Sequence, residues 1–177
     1  MRCFVSVEIP EELKENIAKI QQNFKKNGIK LVEKENLHFT LKFLGEIDEE
    51  KTKDVATRLG SLKTHPFPIV LRGIGAFPNE RFPKIIWVGC QSPELENLAG
   101  LIDSAMFGIG FVKEKNYKNH ITIARVKQRG EGLSDLLGQL ESIEIGVMNV
   151  EEICLKQSVL GRSGPKYADI KRFKFIF

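Results

Sequence analysis

The 177-residue chain predicts an α+β fold: bilobal, with two pseudo-symmetric lobes of mainly antiparallel sheet, helices on the outside and a central cleft. Three observations carry that expectation. Runs of apolar period two alternate with runs of period 3.6, so helices fall between strand pairs. A tetrad recurs, His38-Phe39-Thr40-Leu41 and His120-Ile121-Thr122-Ile123. Each half also reads as strand, helix, strand and a His-x-Thr strand, the pattern of a divergent internal duplication.

In chain order, Cys3 to Ile9 reads as a buried first strand. Pro10, Glu11 and Glu12 make a favourable first helical turn, and Leu13, Ile17, Ile20 and Phe24 follow at helical spacing until Asn27-Gly28 stops them. Strands are expected over Ile29 to Val32 and Leu37 to Leu44, then a helix over Asp48 to Leu62. Ile69 to Phe77 and Ile85 to Cys90 read as two strands joined in a hairpin by the turn-rich stretch from Pro78 to Pro83. Ser92-Pro93-Glu94 starts a helix with a capping Ser and Pro at its first position, Leu95, Leu98, Ile102 and Met106 form its buried stripe, and Gly108 and Gly110 end it. After the second tetrad's strand come a short helix over Leu133 to Leu140 and strands over Ile145 to Leu160 and Lys166 to Phe177. No stretch reads as a linker, so residues 1–177 form one bilobal catalytic domain in this reading.

The tetrads carry the functional signal. Thr occurs five times, so two of three His having Thr two positions downstream is roughly a one-in-several-hundred coincidence, whereas a single short match carries a much higher false-positive risk. Leu37, Phe39, Leu41 and Phe43 alternate with His38, Thr40 and Lys42, and Ile121 and Ile123 alternate with His120 and Thr122. On a strand, that spacing puts imidazole and hydroxyl side by side on the polar face. Phe39 and Phe43 fall on the apolar face and read as core. His65, in Lys63-Thr64-His65-Pro66, reads as a loop residue.

Two imidazoles, each with an ordinary pKa near neutrality, suit a general base and a general acid in one cleft. A displacement at phosphorus that takes a proton from the attacking oxygen and gives one to the leaving oxygen would use both. Thr40 and Thr122 would donate hydrogen bonds to nonbridging phosphate oxygens, and Lys42, on the same face by alternation, would add positive charge.

Metal-assisted hydrolysis is disfavoured by the absence of His-x-His, His-Glu-x-x-His and any Cys cluster. A nucleotide-dependent reaction lacks its phosphate loop, since the Gly73/Gly75 and Gly108/Gly110 pairs stand alone. No cofactor is therefore expected. Cys3, Cys90 and Cys154 are odd in number and far apart, and read as buried free thiols of a cytoplasmic protein. No apolar run reaches the eighteen or so residues of a membrane span, and the interrupted start does not read as a signal peptide. The net charge of +4, from 27 Lys+Arg against 23 Asp+Glu, permits a polyanionic partner without demanding one. Lys113, Lys115, Lys118, Lys127 and Arg129 flank the second tetrad as candidate RNA-backbone contacts.

With these residues in place, the chain resembles the two-histidine phosphoesterase superfamily, and within it the RNA 2′,3′-cyclic phosphodiesterases of bacteria and archaea, also called 2′-5′ RNA ligases. The likeness runs essentially end to end: Arg2 to Val5, Asn36 to Gly45 with its Leu-His-Phe-Thr-Leu-Lys-Phe-Leu-Gly string, Ile86 to Gly89, His120 to Arg125, and Ser158 to Leu160 with Gly164 and Tyr167. The resemblance implies metal-independent opening of a 2′,3′-cyclic phosphate to a 2′-phosphate, with His38 as the acid that protonates O3′, His120 as the base that activates water, and Thr40 and Thr122 holding the phosphate. It adds Arg125 as a phosphate contact, although strict alternation puts Arg125 on the face opposite His120 unless the strand ends or bulges. Asn119 departs from the Pro that often precedes the second His. The implied partner is RNA ending in a 2′,3′-cyclic phosphate, tRNA-derived RNA included, bound by a monomer that needs no metal or membrane. A 2′-5′ ligation would be the same step with a ribose 5′-hydroxyl replacing water. A noncatalytic RNA-end-binding module and a phosphodiesterase of small cyclic nucleotides remain the alternatives.

Overall fold

The computed structural model describes residues 1–176; the expected end of the last strand at Phe177 lies outside them. Ten strands and four α-helices follow in the order β1 (Arg2–Glu8), α1 (Glu11–Gln21), β2 (Ile29–Leu31), β3 (His38–Glu46), α2 (Glu49–Gly60), β4 (Phe67–Arg72), β5 (Ile74–Phe77), β6 (Ile85–Gly89), α3 (Pro93–Phe107), β7 (His120–Val126), α4 (Leu133–Gln139), β8 (Glu144–Val150), β9 (Glu152–Gly161) and β10 (Gly164–Lys174). They build two four-stranded sheets, β10-β9-β1-β3 and β2-β7-β6-β5, and a two-stranded ribbon, β4-β8. Every described strand pairing is antiparallel, as the α+β expectation requires.

Local chemistry explains the boundaries. The Asp48 carboxylate accepts the Lys51 N–H at 2.7 Å to open α2, and the Ser92 hydroxyl accepts the Leu95 N–H at 3.0 Å to open α3, with Pro93 at its first turn. The single strand expected over Ile69 to Phe77 is instead two. Gly73 breaks it with φ +84°, and a Cβ there would stand 2.7 Å from the Glu141 carbonyl oxygen, so only glycine fits the turn. The break sends β4 to β8 and β5 to β6, while the expected β5–β6 hairpin forms.

The helices cross over between the sheets. Helix α1 follows β1 in sequence but packs against β7 and β8, whereas α3 follows β6 but packs against β3 and α2. Strand β2 likewise leaves the first half to pair with β7. One continuous apolar core results, running from Val5, Phe39 and Leu41 through Ile102 and Met106 to Ile86, Ile121 and Ile123. All three cysteines are buried free thiols. Among the described residues, no helix is long and apolar enough to cross a membrane.

Candidate active site

Strands β3 and β7 approach each other, and a cleft of about 740 Å³ runs between the sheets, lined by His38 and Thr40 from one and His120, Thr122 and Arg125 from the other. That volume suits a nucleotide-sized ligand. Both His-x-Thr pairs thus open into one space, as expected from two facing lobes.

The two imidazoles are braced alike. His38 Nδ1 lies 2.6 Å from the Asn36 carbonyl oxygen, and His120 Nδ1 lies 2.8 Å from the Lys118 carbonyl oxygen, each two residues upstream. A carbonyl only accepts, so each Nδ1 carries a proton and Nε2 is left for chemistry in the cleft. An aromatic edge backs each ring: Tyr167 meets His38 with centroids 5.2 Å apart, and Phe77 meets His120 at 5.0 Å. Phe77 in turn packs on Trp87, whose indole lies over Gly75 so closely that a Cβ there would sit 2.3 Å from the ring.

Burial lowers the pKa of both histidines below the ordinary imidazole value by penalising the charged form, partly opposed by the carbonyl bond at Nδ1. Their surroundings then differ. The Glu8 carboxylate favours a protonated His38, opposed by Lys156 and Lys14, while among the described residues no carboxylate acts in this way on His120. The Thr40 hydroxyl lies 2.8 Å from His38 Nε2, whereas no such bond joins His120 to Thr122 among the described residues.

A β-bulge follows the Thr in each motif. Ser6 pairs with Thr40 and Val5 with Lys42, leaving Leu41 as an extra residue; Trp87 pairs with Thr122 and Ile86 with Ala124, leaving Ile123 extra. An extra residue inverts the facing of everything beyond it. Arg125 is thereby turned onto the face of His120 and Thr122, resolving the objection from alternation.

The same inversion corrects the expectations for Lys42 and Phe43. Lys42 borders the cleft, but its side chain is only 3% exposed and its ammonium donates to Asp103 Oδ1 at 2.7 Å and to the Val112 carbonyl at 2.6 Å. Engaged there, it is not free to neutralise a phosphate. Phe43, expected in the core, is 70% exposed on the cleft face beside Phe4, with ring centroids 6.4 Å apart. Phe39 is core as expected. Phe43 and Arg125 occupy matching places, each five residues beyond its His. Sequence reading missed this because it extended strict alternation past the Thr. The adjacent apolar pair Phe43-Leu44 was the signal, since one member must face away from the core.

Of the flanking cations, Lys118 lines the cleft, while Lys113, Lys115, Lys127 and Arg129 lie outside it. Asn119 is buried and donates to the Ser92 carbonyl oxygen at 3.3 Å, tying the start of β7 to the α3 cap. Tyr167 and Phe4 are further cleft residues that spacing alone did not single out for the site. His65 stands in the loop before β4, as expected.

Glu8, Cys154 and Asp169 form the one described cluster with metal-ligand spacing. The Lys156 ammonium already serves both carboxylates, 2.8 Å from Glu8 and 3.3 Å from Asp169. Burial and neighbouring carboxylates push the Cys154 thiol up to about 12, so it is the neutral thiol at neutral pH. This donor set suits a charge-paired lysine rather than a metal.

The sequence model of the LigT like phosphoesterase family matches the chain twice, over residues 7–87 and 88–167, one His-x-Thr in each copy. The RNA 2′,3′-cyclic phosphodiesterase of Methanocaldococcus jannaschii is 42% identical over 175 residues, covering 98% of this chain and 100% of that protein. The protein of that same name in Archaeoglobus fulgidus is 38% identical over 98% and 100%. In structure, the TT0787 protein of Thermus thermophilus superposes with a TM-score of 0.87 at 28% identity, over 99% of this chain and 98% of that one. Escherichia coli LigT complexed with 3′-AMP superposes with a TM-score of 0.83 at 25% identity, over 98% and 97%.

Proposed function

The chain belongs to the LigT like phosphoesterase family, and from that premise we propose that it hydrolyses RNA 2′,3′-cyclic phosphodiester ends to 2′-phosphates by metal-independent acid–base catalysis between His38 and His120. The observation that carries the reading is the opening of two His-x-Thr pairs, each imidazole braced through Nδ1, into one cleft. The names of the relatives supply the substrate class.

In the reaction, a water attacks phosphorus while His120 Nε2 takes its proton. The P–O3′ bond breaks and His38 Nε2 delivers a proton to O3′, leaving the phosphate on O2′. Water is added across the ring, and the two imidazoles then exchange protons with solvent to reset. Each transfer contributes about 10²–10⁴ in rate. The assignment of acid to His38 and base to His120 follows the family resemblance; burial lowers both imidazoles, and of the two only His38 has a carboxylate, Glu8, acting in favour of its protonated form among the described residues.

Thr40 couples the proton to the phosphate. With His38 neutral, the Thr40 hydroxyl donates to Nε2. Once Nε2 is protonated it no longer accepts, and the hydroxyl hydrogen is released to a nonbridging oxygen. Thr122 faces the cleft from the other sheet and Arg125 adds a fixed positive charge, while the exposed Phe43 offers a flat face to the terminal base. A ribose 5′-hydroxyl in place of water would give a 2′-5′ linkage by the same displacement.

The test is incubation with an oligoribonucleotide ending in a 2′,3′-cyclic phosphate, with and without chelator, and assignment of the product. A 2′-phosphate formed at equal rate in both is expected. A 3′-phosphate would reverse the leaving group, and activity lost to chelator and restored by Zn²⁺ or Mn²⁺ would sink the metal-free mechanism.

A further inference from the structure

Beyond the cleft, the loop between β5 and β6 presents Phe82, 58% exposed, with a guanidinium from each of two segments against its ring. Arg81 Cζ lies 5.7 Å from the ring centroid and Arg129, from the chain beyond β7, lies at 5.6 Å. Two like charges gathered at one exposed ring repel each other, and although Glu80 and Glu131 are chain neighbours, neither guanidinium forms an ion pair among the described residues. The arrangement is held in advance. The Asn79 side-chain oxygen accepts the backbone N–H groups of Arg81 and Phe82 at 3.0 and 2.8 Å, and the Ser134 hydroxyl donates to the Glu80 carbonyl oxygen at 2.9 Å.

We propose that Arg81, Phe82 and Arg129 form a second RNA platform that takes the strand upstream of the cyclic end, one base stacking on Phe82 and flanking phosphates pairing with the two guanidiniums. Exposed aromatic faces interleaved with arginines match single-stranded nucleic acid, whose bases offer π-faces and whose phosphates supply the missing counter-charge. The same loop begins at the cleft, where Phe77 packs on His120 and Pro78 lines the wall. Phe82 lies five positions beyond Phe77, so the platform stands within about 18 Å of the catalytic wall. That is roughly five stacked nucleotides, or fewer extended. The platform rests on the proposed cleft reaction and sharpens it, because it selects an RNA chain over a small cyclic nucleotide.

The experiment compares wild type with Arg81→Gln/Arg129→Gln and, separately, Phe82→Ala, each checked for an unchanged melting temperature. Substrates are adenosine 2′,3′-cyclic monophosphate and an octaribonucleotide with the same cyclic end. For the oligonucleotide, kcat/KM is expected to fall about tenfold or more in each variant, with the mononucleotide unchanged within about twofold. The salt slope of the oligonucleotide reaction should flatten by about 1.4 in the double variant, about 0.7 for each lost phosphate contact. Equal losses on both substrates, no loss on either, or a wild type that turns over only the mononucleotide would overturn the platform while leaving the cleft reaction standing. Should wild type hydrolyse neither, the cleft reading fails, and anisotropy with a labelled octamer decides the platform: a tenfold rise in Kd upholds it, and unchanged affinity overturns it.

Discussion

The two motif strands share His at the first position and Thr at the third, and on the cleft face they diverge at the sixth. β3 presents His38, Thr40 and then Phe43; β7 presents His120, Thr122 and then Arg125. Both reach the sixth position through a bulge after the Thr, so the backbone device is shared and only the side chain it delivers differs. One lobe offers an aromatic plane and a His near a carboxylate; the other offers a guanidinium and a His without one. A duplicated scaffold thus becomes asymmetric by substitutions at the bulge exit and behind the ring.

The largest break in the comparison comes from the histidines. His38→Ala and His120→Ala should each lower kcat on a cyclic-phosphate oligonucleotide by about 10²–10⁴ with little change in melting temperature. Full activity in either would remove the acid–base pair. Next is the Lys42 pair: Asp103→Asn leaves the buried ammonium with only the more distant Glu114 carboxylate, at 3.9 Å, and should cost about 3 kcal/mol in urea unfolding. Lys42→Met should keep kcat/KM near wild type; a large drop there would put Lys42 back on the phosphate. Arg125→Gln, which removes a charged contact worth about 1.5–3 kcal/mol in the transition state, should lower kcat by about ten- to a hundredfold. Phe43→Ala should act on KM instead, raising it about tenfold through lost stacking. If the two substitutions had the same kinetic signature, the proposed difference between the lobes would fail.

The smallest expected effect is in pH. Activity needs one imidazole charged and one neutral, a fraction that peaks midway between their pKa values. Burial lowers both, so the kcat/KM optimum should fall below about 6.5, the ordinary imidazole value. Stability runs the other way. The unfolded chain binds these protons more readily, so the contribution is full above a pH of about 6.5 and is lost as pH falls through the depressed folded values. An alkaline kcat/KM optimum would contradict the lowered values.

Element types, the hairpin, both helix caps and the pairing of the tetrads were legible because each rests on local chemistry: Ser92 before Pro93, alternation around His38, a turn-rich stretch before Ile85. The bulges were not, since they arise from matching two strands across a ladder and carry no Gly or Pro of their own. That single omission left the Lys42 ammonium open to the cleft rather than paired with Asp103, and put Phe43 in the core. The split at Gly73 was missed for a related reason. Each side of it reads as strand, and only the Glu141 carbonyl pressing on that position forces the turn.

The crossing of helices and of β2 between the sheets has a consequence for how the molecule comes apart. The two family matches meet at residues 87 and 88, inside β6, yet neither half keeps its own sheet or its own helical cover. Cutting the chain there would give two fragments that each expose a sheet face and lack a strand. The halves are therefore expected to melt together in one transition, with calorimetric and van't Hoff enthalpies equal. An ancestral repeat stitched this way holds the two histidines in register as a by-product of folding at all.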